Sequence, residues 1–596
     1  MHVPKKLPLA ALFCAVVFSA ARAAPVASQN NDFDWRSEWA VADGFTITLD
    51  SEGYQFPTAL AFVPNPGRNP KDPLYFVTEV RGRVRVVTND RTVHTFAEGF
   101  LQTPFTTENP SREAEYGSAG ICLAPAHGYV FVTFAYAGDN GVLHNNIVRF
   151  QSQPGTFSIQ PSAQLAFTDV FSRESTGPSH QIGGCQVQGD YLYVGVGDGF
   201  NSPRGSQDLS RLQGKLLRMT LDGKPVPDNP FYQDNDIQKP ENFVWAYGLR
   251  NPFSLKVIDG RVFVADNGPE VDRVVEIQPG VNYLWDGTDQ SVAAIAHAII
   301  VPSRSPVQMD YYPTGTPLFP EAFRDKFYIS LASFNPEQRK LPGILIMDYS
   351  LPARRTLSAP RTLLQFLGAN EQGVVGLAFG PDGLYFAPIM PNAAGQSAIY
   401  KITYAPEAAY PYRLTSTRKP VELLYEKGCL GCHSIAGQLK GGTAAPPLDQ
   451  AALIERLQLR LDSEAYLKQV ADIDALDQDP QRQFAAARRE VLAANGLDRI
   501  RTWIKYRVQE PRFDNTYTQM PNLGVTPAEA DILADYLTTV PAQPDGLAAL
   551  FPEQPRYRHV ALAFGVGLGL GVAGWLSVQW VWRRLGRKPQ PDRSRG

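Results

Sequence analysis

Residues 181–198, QIGGCQVQGDYLYVGVGD, decide the fold: an apolar strand, a tight Gly-Asp turn at 189–190, and a second strand of alternating aromatic and β-branched residues. The unit recurs along the chain. It appears as TALAFVPNPGRNPKDPLYFVTEVRGRVRVV from Thr58, GSAGICLAPAHGYVFVTFAYA from Gly117, NPFSLKVIDGRVFVADNGPEVDRVVEI from Asn251, FRDKFYISLASF from Phe323 and GVVGLAFGPDGLYFAPI from Gly373. Most units are followed by a further strand, such as NNIVRF, GKLLRM, GILIMDY or SAIYKI. Six units in series, spaced by about 50 to 75 residues, favour radial repetition over a two-sheet sandwich, because each small sheet then buries its faces against its neighbours. The frequent Gly and Pro, 49 of each, suit such a turn-rich β protein.

The chain of 596 residues is too long for this module alone. After about residue 406 the composition changes. Residues 407–420 read as a Pro- and Tyr-containing linker, and from Leu453 to Lys505 the apolar spacing becomes helical, with Gly496 expected as a helix C-cap. A last helix is expected over 528–536, opened by Thr526-Pro527. Within this part lies Cys429-Leu430-Gly431-Cys432-His433, the C-x-x-C-H arrangement. Two thiols at that spacing add to the two vinyl groups of a haem, and the adjacent His binds its iron. A bare C-x-x-C serves equally as a redox disulfide or half a zinc site. The following His favours one covalent haem c on Cys429 and Cys432, with His433 as an iron ligand. Met520, the sole Met after the motif, is the expected sixth ligand.

The two ends carry export and membrane signals. Lys5 and Lys6, the apolar stretch from Leu7 to Ala20 and Ala21-Arg22-Ala23 form a secretory signal over 1–23. Val560 to Trp582 is an uncharged run long enough to span a bilayer, and Arg583, Arg584, Arg587 and Lys588 follow it. The expected arrangement is single-pass in a bacterial inner membrane, with the body periplasmic and 583–596 a cytoplasmic tail. Gly565, Gly567, Gly569, Gly571 and Gly574 allow a helix partner in the membrane. The net charge of −3 gives no reason to expect a nucleic-acid partner.

Two resemblances follow from these motifs. The region over 421–545 resembles a class I cytochrome c through GCLGCHSIAG and TYTQMPNLGVTPAEADILADYL, which implies that the carbonyl of Pro446 or Pro447 orients His433. The region over 36–406 resembles the soluble glucose dehydrogenase and sorbosone dehydrogenase family through PLYFVTEVRGRVRVV, SHQIGGCQVQGDYLYVGVGD, GKLLRMTLDGKPVPDNP, YGLRNPFSLKV and ADNGPEVDRVVEIQPGVNYLW. That resemblance implies a six-bladed propeller using pyrroloquinoline quinone (PQQ) and calcium to oxidise a sugar. It places His180 as general base, Arg250 and Asn251 beside the quinone carbonyls, the carbonyls of Gly268 and Pro269 on calcium, and Tyr312-Pro313 over the site. The chain departs from the family at Ser179, where an Asp is usual, at Glu115 for a Gln, and at Ser333 for a Lys. It departs again over 371–376, EQGVVG, where PQQ-binding members carry Arg; Arg339 or Lys340 is an alternative source of charge.

The expected protein is therefore multidomain: an all-β six-bladed propeller, an all-α cytochrome c domain and one C-terminal transmembrane helix. Its expected role is oxidation of a sugar, alcohol or aldehyde, with electrons passing to its own haem and on to a soluble cytochrome or terminal oxidase. The alternative is an electron-transfer subunit whose propeller is a docking or ligand-binding module. Cys122 and Cys185, on first strands of neighbouring units, form either a disulfide or two buried thiols.

Overall fold

The computed structural model describes residues 33–101, 116–138, 141–200, 203–312, 317–333, 341–357, 360–414, 420–435, 439, 441–476, 479, 481–540 and 575, 576 and 579. The signal segment 1–23, Glu115, Pro313, Arg339, Lys340 and nearly all of 560–582 lie outside the described residues. Among the described residues, no helix is long and apolar enough to cross a membrane.

Six antiparallel sheets form the propeller. Their innermost strands are Pro57–Phe62, Gly117–Ala124, Ile182–Gln188, Ser254–Ile258, Pro306–Tyr311 and Val374–Phe379, and each touches the next around a closed ring. The third blade shows the pattern: Ile182–Gln188 pairs with Tyr191–Val196, then Lys215–Thr220, then Val244–Tyr247. Close approach of inner strands needs bare backbone at Gly183, where an added Cβ would lie 2.7 Å from Phe253 Cα of blade four.

Two features of the ring are absent from the sequence reading. The fifth unit read from Phe323 lacks its innermost strand, which is Pro306–Tyr311, paired with Lys326–Leu331. Its opening Pro and short run disguise it as a turn. The sixth blade takes its outermost strand from the N-terminal side, Phe45–Glu52 against Ala398–Tyr404, so the two ends of the propeller sequence are held together by one ladder. The chain to Leu414 stays on this seam: Tyr410 is buried with its hydroxyl on the Trp39 carbonyl, and Arg413 Nη1 bonds the Phe45 carbonyl at 2.6 Å.

Cys122 and Cys185 are joined, with Cα atoms 5.7 Å apart, across the inner strands of blades two and three. Converting both to Ser should lower propeller stability by about 2–4 kcal/mol. Denaturant titration of wild type and variant measures this.

The helical region packs Pro420–Glu426 and Pro527–Thr538 against each other around Leu423, Leu424, Leu533 and Leu537. Between them lie Gln450–Leu461, Glu464–Asp474, Ala485–Ala493 and Gly496–Gln509. Gly496, read as a C-cap, has φ +53° and stands at the start of the last of these; the preceding helix ends at Ala493. The final helix begins with a capping box between Thr526 and Glu529.

Candidate functional site

In an up-and-down blade the inner strand starts at the end of the propeller where the second strand finishes. His180, Asn251 and Arg304 stand just before inner strands; Asp198, Asn267 and Ser333 stand just after second strands. All six therefore surround one mouth. His180 has φ +57° and is buried. The glycine-flanked loop after Val196 wraps its backbone: Gly199 N donates to the His180 carbonyl at 3.1 Å, and a Cβ on Gly197 would lie 2.4 Å from that oxygen.

The loop delivers Asp198, whose Oδ1 lies 2.6 Å from His180 Nδ1. Asp198 also accepts the Phe200 N–H at 2.9 Å and the Trp285 indole N–H at 2.9 Å. Burial alone would raise its pKa, but the His180 contact and these donors outweigh it, so the carboxyl lies below its ordinary value. A carboxylate on Nδ1 fixes that nitrogen as the N–H and leaves Nε2 as the basic one. Position 179, where the family resemblance leads one to expect an Asp, is Ser, and the sequence analysis names no partner for Nδ1. The carboxylate comes from the next loop, in GVGDG at 195–199, where a Gly-flanked Asp closing an inner-blade hairpin was the available signal. Trp285 arrives less legibly. After the third strand of blade four, the chain climbs beside Val244–Tyr247 of blade three, with Tyr283 N on the Tyr247 carbonyl and Trp285 N on the Gly248 carbonyl.

Arg250 and Asn251 are held by a buried ion pair. Asp266 accepts the Arg250 N–H at 3.1 Å and the Asn251 N–H at 2.7 Å. Arg273 grips the same carboxylate at 2.8 and 3.0 Å, and both side chains are fully buried. Arg273→Met leaves an unpaired buried carboxylate and should cost about 3–5 kcal/mol. Thermal unfolding of the variant measures this. The Arg250 guanidinium lies over Trp285, 5.6 Å from the ring centroid, with Nη1 on the Asn267 carbonyl at 2.6 Å.

Among the described residues, three polar atoms around this point are buried without a hydrogen-bond partner: Asn251 Oδ1, Asn267 Oδ1 and Arg304 Nε. Burial draws the Arg304 guanidinium down to about 10, the nearby Asp272 charge opposing. Orphaned polar atoms at a mouth carrying two guanidinium groups fit an acidic, carbonyl-bearing cofactor. Arg304 is not among the charges expected from the sequence, which were those of blade six or, as the alternative, Arg339 or Lys340 of the fifth-blade loop; those two lie outside the described residues. In blade six Gln372 bonds the Met390 carbonyl, Met390 N and Gly373 N, so that stretch braces its own loop. Ser333 donates its N–H to the Arg304 carbonyl.

The Gly268 carbonyl accepts Ser303 Oγ at 3.2 Å and keeps a second lone pair; Pro269 is exposed. Asp272 is saturated by Ser303 Oγ at 2.7 Å, Gly268 N at 3.1 Å and Arg304 N at 2.6 Å, and burial pushes its pKa up to about 6. Among the described residues no cluster of three or more acidic, His or Cys side chains is arranged for a metal. Tyr312 is a correction. It follows the far end of its inner strand, packed on Phe319 and Phe379, so it stands opposite the mouth rather than over it.

In the helical region, Gly428 in the left-handed conformation starts the single turn Cys429–Cys432, whose thiols are not joined. Burial pushes the Cys429 thiol up to about 12 and raises Cys432. His433 Nδ1 lies 2.7 Å from the carbonyl of Pro446, which decides between the two prolines. Burial lowers the His433 pKa, opposed by that bond, with Arg456 and Arg507 lowering it further. Arg507 also bonds Thr518 Oγ1 at 2.6 Å, and Thr518 Oγ1 accepts Met520 N at 3.2 Å. One guanidinium thus links the surroundings of His433 to the Met520 loop.

Residues 54–301 match the Glucose / Sorbosone dehydrogenase family model. The aldose sugar dehydrogenase YliI of Escherichia coli is 27% identical over 259 residues, 41% of this chain and 63% of that protein. An uncharacterized protein of Synechocystis is 31% identical over 147 residues, 21% of this chain and 35% of that one. The chain thus spans less than two thirds of the length of these relatives. Among solved structures, the soluble aldose sugar dehydrogenase of E. coli superposes with TM-score 0.45 at 19% identity, covering 60% of this chain and 99% of that one. A glucose dehydrogenase superposes with TM-score 0.44 at 20% identity, covering 60% and 98%.

Proposed function

We propose that this protein is a membrane-anchored, exported quinohaemoprotein that oxidises a sugar at the propeller mouth and passes the electrons to its own c-type haem. The observation that carries the reading is His180 on the buried Asp198 carboxylate, beside Arg250, in the part of the chain that matches the sugar-dehydrogenase family. PQQ, when bound with calcium, supplies the two-electron acceptor for the substrate C–H bond. His180 Nε2 takes the hydroxyl proton, and Asp198 steadies the resulting imidazolium. Arg250 and Arg304 would offset the cofactor's negative charge, and Asn251 and Asn267 would supply hydrogen bonds to it. The Gly268 and Pro269 carbonyls would be the hard ligands for the calcium.

Phe200 is 61% exposed, with its ring edge-on to His180 at 4.9 Å. It offers a flat apolar face to a sugar ring beside the base. Phe200→Ala should raise KM for aldose about tenfold with kcat nearly unchanged, a loss of binding made equally in ground and transition states. Steady-state kinetics over a range of aldose concentrations checks this.

A haem, when bound, supplies a one-electron acceptor. Cys429 and Cys432 would attach it, and His433, held through Nδ1 by the Pro446 carbonyl, would offer Nε2 to its iron, with Met520 as the other protein ligand. The test is aldose-dependent reduction of an artificial dye by the PQQ-loaded protein, together with an alkaline pyridine spectrum for covalent haem. Dye reduction that needs PQQ and is lost in His180→Ala supports the dehydrogenase reading. Covalent haem without any aldose-dependent dye reduction would favour the propeller as a docking module.

A further inference from the structure

The C-x-x-C-H turn is seated on the propeller, beside the mouth. Gly428 and Gly431 bracket Val301: an added Cβ on Gly428 would lie 2.1 Å from the Val301 carbonyl oxygen, and one on Gly431 would lie 1.7 Å from Val301 Cγ1. Pro302 Cα is 3.4 Å from the same Gly431 position. Only residues without a side chain allow this approach. Cys432 packs with Ile299 and Val301 against the apolar cluster of Val271, Trp285 and Val292. That cluster borders the mouth: Val292 Cγ1 would stand 3.3 Å from a Cβ on Gly268. Trp285 is buried, its N–H bonded to Asp198 and its ring under Arg250. The indole therefore belongs both to the mouth and to the surface on which the second cysteine rests.

We propose that Val301-Pro302 and the Val271–Trp285–Val292 cluster are a built docking seat for Gly428–Cys432. Electrons leave the propeller mouth for the haem through Trp285 and across this contact. The proposal rests on the functional reading above. Oxidising one hydroxyl-bearing carbon to a carbonyl releases two electrons and two protons. The protons leave to water, one of them by way of His180. The electrons cross singly, each reducing one ferric haem iron to ferrous, and an external one-electron acceptor reoxidises the iron between crossings. Trp285 is the packed medium of the path and is not itself oxidised. Tunnelling falls steeply with separation and is favoured by continuous packed atoms. A seat that excludes water between Trp285 and Cys432 therefore sets the rate.

The test uses the full chain loaded with haem and PQQ, as wild type, Val301→Asp and Gly431→Leu. Hydrogen–deuterium exchange over residues 289–301 in the resting protein reads docking without turnover. Covalent haem content, aldose-dependent dye reduction and the stopped-flow rate of ferrous haem formation are measured alongside. The expected result is faster exchange over 289–301 and haem reduction slowed at least about tenfold, as the tethered domain loses its fixed geometry, with haem content and dye reduction unchanged. Unchanged exchange in both variants contradicts the seat. Faster exchange with undiminished haem reduction contradicts the path. If Gly431→Leu attaches haem poorly, Val301→Asp decides alone, because it lies outside the attachment motif. A wild type that reduces neither dye nor haem with aldose overturns the functional reading itself, and is recognised by the failure of both arms before any variant is compared.

Discussion

Asp198→Asn is expected to lower kcat for aldose oxidation by about 10³-fold, within the range for a positioned general base deprived of its orienting carboxylate. Asp198 Oδ1 lies 2.6 Å from His180 Nδ1. With the carboxylate in place, Nδ1 carries the hydrogen and Nε2 the lone pair, and a proton arriving at Nε2 creates a cation beside an anion. An amide in its place removes that charge and permits the other tautomer, so both the ground-state geometry and the stabilisation of the protonated ring are lost. Asp198 also accepts Phe200 N and Trp285 Nε1. Steady-state kinetics with a dye acceptor measures the effect. A tenfold effect or less would mean that His180 does not act through this carboxylate. The stability consequence runs the same way. The folded-state pKa of Asp198 is depressed, so its contribution is present above the unfolded carboxyl value and is lost as pH falls through the folded one.

The second large effect is at the other centre. Replacing Cys429 and Cys432 together by Ser should abolish covalent haem, because no thiol remains in the motif to add to a vinyl group. Cys122 and Cys185 cannot substitute, since they are consumed in the disulfide between blades two and three. Haem staining after denaturing electrophoresis gives the result directly, and a retained haem band would remove the cytochrome reading. Met520→Ala should keep the covalent haem but lower its potential, as loss of the thioether opens the sixth position to a harder ligand or water. Potentiometric titration of Met520→Ala against wild type measures this.

Much of the propeller was legible because its code is local. Alternation at period two and a Gly-Asp turn identify a hairpin such as 182–196 without knowledge of its neighbours. The strands that escaped are defined by partners far away in sequence. Phe45–Glu52 becomes part of blade six only because Ala398–Tyr404 lies beside it. Pro306–Tyr311 begins with a residue that argues against an inner strand. The site shows the same division. His180, Arg250 and Asn251 stand in recognisable words, SHQIGG and LRNP, and the structure gathers them at one mouth. Asp198 and Arg304 are visible in sequence, but their roles depend on loops from adjacent blades meeting in space. Trp285 depends on a climb along a neighbouring blade that no periodicity announces. The seat of Gly428 and Gly431 on Val301 joins residues over a hundred positions apart that only the folded chain brings together.

The measurement that bears most directly on the whole account is stopped-flow mixing of the oxidised, PQQ-loaded full chain with aldose, watching the ferrous haem band. The account predicts that the band appears in a single turnover without added acceptor, requires PQQ, and disappears in His180→Ala while dithionite still reduces the haem. A haem that dithionite reduces but aldose never does, in a wild-type protein shown to contain PQQ, would contradict it.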